Sequence, residues 1–307
     1  MKKILLISFL IFCGNHLFSQ QLPHFSQYFL NDYLINPAVA GSRDYFEGTS
    51  THRYQWEGVT DAPRTYTLSV NGPTKNRKMG FGGYLFTDHV GPTRRTGINL
   101  SYAYHIKIND GLKLGLGLSA GLLQFMVDGS KITLRDQDDD IITGGVQSEL
   151  KPDAGFGLYL YHKKFYFGFS APQLLNSKVN FFEEGQSPTG TLPAHFFVTA
   201  GYKFQVSEDF TIEPIIFAKY IDPVPLQLEG TIKATYKNKF WLSGTYRDKD
   251  AITASVGFFL NNSFTVAYAH DFTTTNLKNY SNGSHEVMIG ARFYRRTTKE
   301  KSAPKIE

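Results

Sequence analysis

The chain has 307 residues, 41% hydrophobic and 15% aromatic, with 28 glycines, one cysteine and a formal net charge of +5. Lys2 and Lys3 belong to a leader, and the C-terminal tail sets Arg295, Arg296, Lys299, Lys301 and Lys305 against Glu300 and Glu307, so the body is near neutral. A body with no basic stripe and no recognisable binding motif argues against nucleic acid as a partner, and no run after the leader approaches the roughly 18 apolar residues of a membrane helix.

In chain order, Lys2 and Lys3 precede "ILLISFLIF", and the small residue Ser19 stands before Gln20. This pattern predicts a secretory signal peptide over residues 1–19. The single cysteine, Cys13, lies within it behind Phe12, which does not suit lipoprotein processing. A mature chain without thiols must be stable outside the cytosol without disulfides, and that calls for a large ordered architecture.

Residues 20–42 read as a plug or lead-in segment. In "HFSQYFLNDYLINPAVAGS", Phe25, Tyr28, Phe29 and Tyr33 recur at nearly helical spacing, which predicts one short amphipathic helix. Pro37 ends it, Asn36 is pushed toward extended backbone, and Gly41 permits a turn. Its aromatic face has no other core, so it is expected at the periplasmic mouth of whatever follows.

From residue 43 the hydrophobic period becomes two. Leu112, Leu114, Leu116 and Leu118 share one face while Lys113, Gly115, Gly117 and Ser119 share the other. Fourteen segments follow this rule, at roughly 43–56, 62–72, 78–88, 93–108, 111–126, 151–162, 164–171, 194–206, 210–220, 224–236, 239–247, 251–260, 263–270 and 284–294. The longest connections, 127–150, 172–193 and 271–283, are all odd-numbered, as expected if short periplasmic turns alternate with long outer loops. The predicted fold is therefore all-β: a transmembrane antiparallel up-and-down barrel over 43–294, with a basic periplasmic tail at 295–307. A soluble sandwich would also alternate, but its outside would be polar, whereas here the polar face is rich in Gly, Ser and Thr with charges of both signs, as a lumen would be. Trp56, Tyr104, Tyr220, Tyr236, Trp241, Phe293 and Tyr294 lie near strand ends and would form interfacial girdles.

Few residues suggest chemistry. Asp136, Asp138 and Asp140 have calcium-loop spacing, but Ile141 and Gln147 stand where an EF-hand needs glycine and glutamate, so a solvated loop is expected and no metal. Ser101 and His105 share a strand face without an orienting third group, and neither HExxH nor GxSxG occurs. No catalytic residue, no cofactor and no enzymatic activity are expected. His52, His89, His105, His270 and His285 read as lumen or interface residues, and Glu213, Lys219, Lys203, Glu229 and Lys233 as mixed lumen charge.

The segments "FSQYFLNDYLINPAVAGS", "YQWEGVTDAPRTYTLSVNGP", "GFGGYLFTDHVGP", "GFGLYLYHKKFYFGFSAPQLL" and "GSHEVMIGARF", in this order, resemble the PorP/SprF family of outer-membrane proteins of the Bacteroidetes type IX secretion system. The resemblance runs over about residues 21–294 and includes Phe25, Ser26, Gln27, Tyr28, Asn36, Pro37, Ala38, Ala40 and Gly41. It implies an outer-membrane barrel that assists secretion and surface anchoring of a large adhesin with a type B C-terminal domain, as in gliding motility. Its implied partners are that adhesin, other type IX components and outer-membrane lipid. The long loops would then be the contact surface, with Phe181 and Phe182 as aromatic anchors and Asp138 and Asp139 as rim charges. "NPAVAG" also resembles the segment before the first strand of FadL-like transporters, so a pore for hydrophobic solutes is the alternative.

Overall fold

A computed structural model describes residues 22–132, 145–179, 190–260 and 263–294, which form a closed antiparallel barrel with a segment inside it. Its fourteen wall strands are β1 (Tyr45–Tyr54), β2 (Arg64–Pro73), β3 (Met79–Val90), β4 (Thr93–Lys107), β5 (Lys113–Asp128), β6 (Val146–Tyr161) and β7 (Phe165–Ala171). They continue with β8 (His195–Tyr202), β9 (Phe210–Ile221), β10 (Val224–Tyr236), β11 (Phe240–Arg247), β12 (Ala251–Phe259), β13 (Phe264–Thr273) and β14 (Ser284–Tyr294). Each strand pairs with its sequence neighbour, and β1 pairs with β14 from Tyr45↔Tyr294 to Tyr54↔His285, which closes the wall. A two-residue ladder, Lys178–Val179 with Gly190–Thr191, lies in the β7–β8 connection.

Period two explains which face each residue takes. Leu100, Leu118, Ile216 and Ile232 are more than 60% exposed on the outside, whereas Ser69, Thr231, Thr245 and Thr253 are buried inside. In water this distribution would be unstable; in a bilayer the apolar face is solvated by lipid, and closure leaves no strand edge with unpaired backbone groups. The end that carries Tyr45 and Tyr294 has short connections, such as 74–78, 108–112, 162–164 and 237–239, and none of the long ones, and is the periplasmic end. The longer connections, 55–63 and 274–283 among them, leave from the outer end.

Two details depart from the sequence reading. β6 begins at Val146, five residues before the expected 151, because Gln147, Glu149 and Lys151 alternate with Val146, Ser148 and Leu150 and pair with a β5 that extends to Asp128. Trp241 is not a girdle residue. Its position in β11 has inward parity, and its fully buried ring lies over Gly257 in the lumen, where a Cβ would come within 2.4 Å of the indole. Alternation fixes the face, and nearness to a strand end does not override it.

Candidate functional site: a lumen occupied by the N-terminal segment

Residues 22–41 run down the inside of the barrel. Near the outer end the Leu22 N–H donates to Nε2 of His195, the first residue of β8, at 3.1 Å. The chain then descends to Ser42 and the periplasmic start of β1, so it occupies the length of the lumen and not only the expected periplasmic mouth. The single amphipathic helix is not formed. Instead there is a turn over 26–30, then 3-10 turns at Asp32–Leu34 and Pro37–Val39. The physical reason is that wall surrounds the segment on all sides, so it has no polar face to turn to water. So short a helix is marginal alone, and wall groups satisfy its backbone in other ways.

The upper part is held by buried charge. The carboxylate of Glu286 on β14 accepts from the N–H groups of Ser26 (2.8 Å) and Gln27 (2.9 Å). Ser26 Oγ lies 2.6 and 2.8 Å from the two oxygens of Asp271 on β13, to which it gives its single proton. Arg53 on β1 donates from Nη1 to Ser26 Oγ and from Nη2 to Asp271, each at 2.8 Å. Arg247 on β11 brings Nη1 to 3.4 Å from Asp271 and Nε to 3.3 Å from Glu229, the latter an ion pair without hydrogen-bond alignment. Thr253 Oγ1 completes the shell of Asp271 at 2.8 Å. Each carboxylate therefore has cationic or N–H partners, which offsets the cost of burying charge.

Lower down, aromatic packing and close backbone contact take over. Tyr28 stacks on Phe217 at 4.7 Å, Phe29 meets Trp241 edge-on at 5.6 Å, and Tyr33 donates to Ser101 Oγ at 3.0 Å. Asn36 is the most polar joint: its Nδ2 donates to the carbonyls of Leu158 (2.9 Å) and Phe169 (3.3 Å), while its Oδ1 accepts from the Ala38 N–H at 2.9 Å. His105 Nε2 donates to the Ala40 carbonyl at 2.8 Å. Glycine is required where backbone meets wall, since a Cβ at Gly80 would lie 1.9 Å from Ala40 O and one at Gly117 would lie 2.2 Å from Ala38 N. At the periplasmic end Arg43 pairs with Asp32 (2.8 Å) and Glu47 (3.1 Å).

Two of the cavities that border the segment are of notable size. The larger, about 760 Å³, is an outer vestibule with Leu22, Pro23 and His24 at its floor and Trp56, Arg95, Lys219 and Asp250 among its walls. The smaller, about 70 Å³, lies between the segment and β3–β5, against Phe25, Tyr28, Phe86 and Leu123. His24 faces Glu229 at 3.2 Å. Burial, reinforced by the positive charges of Arg247, Lys219 and Arg53, holds its imidazole well below the ordinary histidine range, so it is neutral at pH 7. Asp32 is pushed the other way, up from the usual carboxylate range by burial, with Arg43 opposing.

Of the residues expected to act, Tyr28, Phe29, Tyr33, Asn36 and Pro37 are buried in the lumen, Phe25 is half-buried beside the small cavity, and together they form one packed unit. Phe181, Phe182, Asp138 and Asp139 lie outside the described residues. Ser101 and His105 both contact the segment and not each other, and Glu213 pairs with Lys233 at 2.6 Å. The sequence reading did not single out Arg53, Arg247, Asp271 or Glu286. The usable signal was parity, because each is a charged residue at an inward position of a strand whose other inward residues are mostly small or hydroxylated.

Among solved structures, the chain is similar to the CymD monoaromatic hydrocarbon channel, with 13% identity, a TM-score of 0.53 and coverage of 87% of this chain and 93% of that one. The toluene transporter TbuX of Ralstonia pickettii gives 11% identity, a TM-score of 0.52 and coverage of 86% and 93%. At such identities the likeness is one of fold. No curated protein matches the chain. The sequence itself matches a family profile over residues 17–291, nearly the whole of the barrel and its internal segment, and the chain belongs to the family described as type IX secretion system membrane protein PorP/SprF.

Proposed function

We propose that this outer-membrane barrel is a non-catalytic partner of type IX secretion that anchors a large secreted adhesin with a type B C-terminal domain at the cell surface. The observation that carries this reading is the occupied lumen. A barrel whose interior is packed with its own N-terminal segment, held by the Arg53–Asp271–Glu286 network, is a rigid platform that offers its outer end to a partner. The vestibule and the loops around it are then the docking side, with Phe181 and Phe182 as the aromatic contacts and Asp138 and Asp139 at the rim affecting encounter rate more than affinity. The test replaces Phe181 and Phe182 by Ser at unchanged barrel level and measures adhesin on the cell surface and in the medium. Release to the medium is expected, and deletion of the whole chain should abolish surface display.

A second reading, uptake of a small hydrophobic solute, draws on the fold shared with the hydrocarbon channels and on the apolar cavity beside Phe25 and Phe86. At about 70 Å³ that cavity is roughly half the ~150 Å³ at which an apolar protein cavity takes up benzene, so the segment would have to move. If deletion leaves adhesin display intact and blocks solute uptake, the transporter reading replaces the anchor.

A further inference from the structure

The outside of the barrel is not uniform at its outer rim. Six outward-facing residues on adjacent strands are joined in one row by direct register: Arg94 on β4 opposite His89 on β3, then Arg64 on β2, Tyr54 on β1, His285 on β14 and His270 on β13. The guanidinium of Arg64 sits 4.9 Å over the Tyr54 ring, and the His270 and His285 rings are 4.8 Å apart. Below them His52 and Tyr66 pack edge to face at 5.1 Å, and the Tyr268 hydroxyl lies 2.7 Å from His285 Nδ1. Acidic groups in the β1–β2 connection beside this face are Glu57, 3.1 Å from His285 Nε2, and the exposed Asp61, whose carbonyl accepts from the Gly91 N–H.

On the strands from β8 to β12 the outward positions near the outer strand ends include Phe196, Tyr220, Leu226, Tyr246 and Ile252, all exposed and none charged. The outer strand ends of β8 to β12 thus carry apolar and aromatic side chains, whereas those from β13 through β1 to β4 carry two arginines and three imidazoles. A guanidinium on a lipid-facing surface is costly at mid-bilayer and tolerated at the interface, where its planar donors match phosphate oxygens in bidentate geometry. Imidazole N–H and phenol O–H groups beside it supply further donors.

We propose that this sector, from β4 through β1 to β13, is a binding site for the phosphate of an outer-leaflet lipid headgroup, with Arg64 and Arg94 as its charged contacts and His89 and His270 at its flanks. The site fixes which side of the barrel faces a phosphorylated lipid and leaves the apolar half for acyl chains or neighbouring proteins.

The test uses native mass spectrometry of the full mature barrel in detergent, titrated with lipid A and with its dephosphorylated form. The wild-type protein should retain the phosphorylated lipid in preference to the other. Replacing both arginines, Arg64→Gln with Arg94→Gln, should weaken retention by about tenfold or more, while Tyr246→Gln on the opposite half leaves it unchanged. Heat-modifiable migration on a gel identifies folded barrels. If the double variant does not fold, the comparison of the two lipids on wild-type protein still decides. Equal retention of both lipids, or retention unaffected in a folded double variant, overturns the proposal. So does complete displacement by millimolar inorganic phosphate, which would assign the site to a free anion.

Discussion

Ser26 is the smallest side chain in the network that grips the N-terminal segment, yet it meets charged groups from β1, β11, β13 and β14. Removing Asp271 takes the shared carboxylate from Arg53, which keeps Glu286, and from Arg247, which keeps Glu229 and Asp250, so the loss is at most the about 3–5 kcal/mol of a buried pair broken on one side. Asp271→Ala should therefore free the segment while the wall persists, seen as fast hydrogen exchange and protease cleavage within residues 22–41. A protected segment in that variant would show that the aromatic contacts suffice. His24 makes the grip pH-dependent with a definite sign. Its docked pKa is depressed, so the docked state binds fewer protons than the free segment, and docking is strongest above about pH 6.5 and weakens as pH falls below it. Asp32, with a raised pKa, acts in the opposite sense. The difference between wild type and His24→Gln isolates the histidine: protease sensitivity of the two proteins should match at pH 8, with only the wild type gaining sensitivity toward pH 5.

At the scale of elements, the strands were legible because one rule, alternation, covers them all, and the even count and loop parity followed from it. Leu114, Leu116 and Leu118 needed no tertiary information to be placed on the lipid face. The inner segment was legible only in part. Its aromatic content and Asn36-Pro37 marked it as a lead-in, but helical spacing misled because its conformation is set by side chains from many strands: Ser101 for Tyr33, Leu158 O for Asn36, Glu286 for Ser26. Such partners are 68 to 260 residues away and leave no local trace. Trp241 misled for a related reason, since its place near a strand end resembled a girdle while its parity put it under Phe29. Tyr28 and Phe29 belong to one buried cluster of this packing with Phe197, Phe217 and Trp241. Tyr28→Ala with Phe29→Ala, each removing an aromatic worth about 3–5 kcal/mol of packing, should raise single-channel conductance in planar bilayers. Conductance at the wild-type level would mean that the narrower stretch from Tyr33 to Ala40 closes the lumen alone.

On the scale of the whole molecule, the barrel inverts the usual arrangement of a soluble protein: its strands turn apolar residues outward and hold a network of charges within. The interior is nevertheless not a water-filled pore like that of a porin, because residues 22–41 supply most of what would otherwise be a core. The positions of their contacts matter for assembly. Arg53 belongs to the first strand, Asp271 and Glu286 to the last two, and all three meet at Ser26. The β1–β14 seam is the join of greatest sequence separation in the wall, and such contacts form late and at the highest loop-closure cost. The segment thus works as a latch across the zip of the barrel, tethered to β1 from the outset and ready to capture β13 and β14 as they arrive. We expect a chain lacking residues 22–41 to insert slowly into liposomes and to lose heat-modifiable migration at lower temperature than the full chain. Equal insertion rates and equal melting would show that the seam closes without its latch.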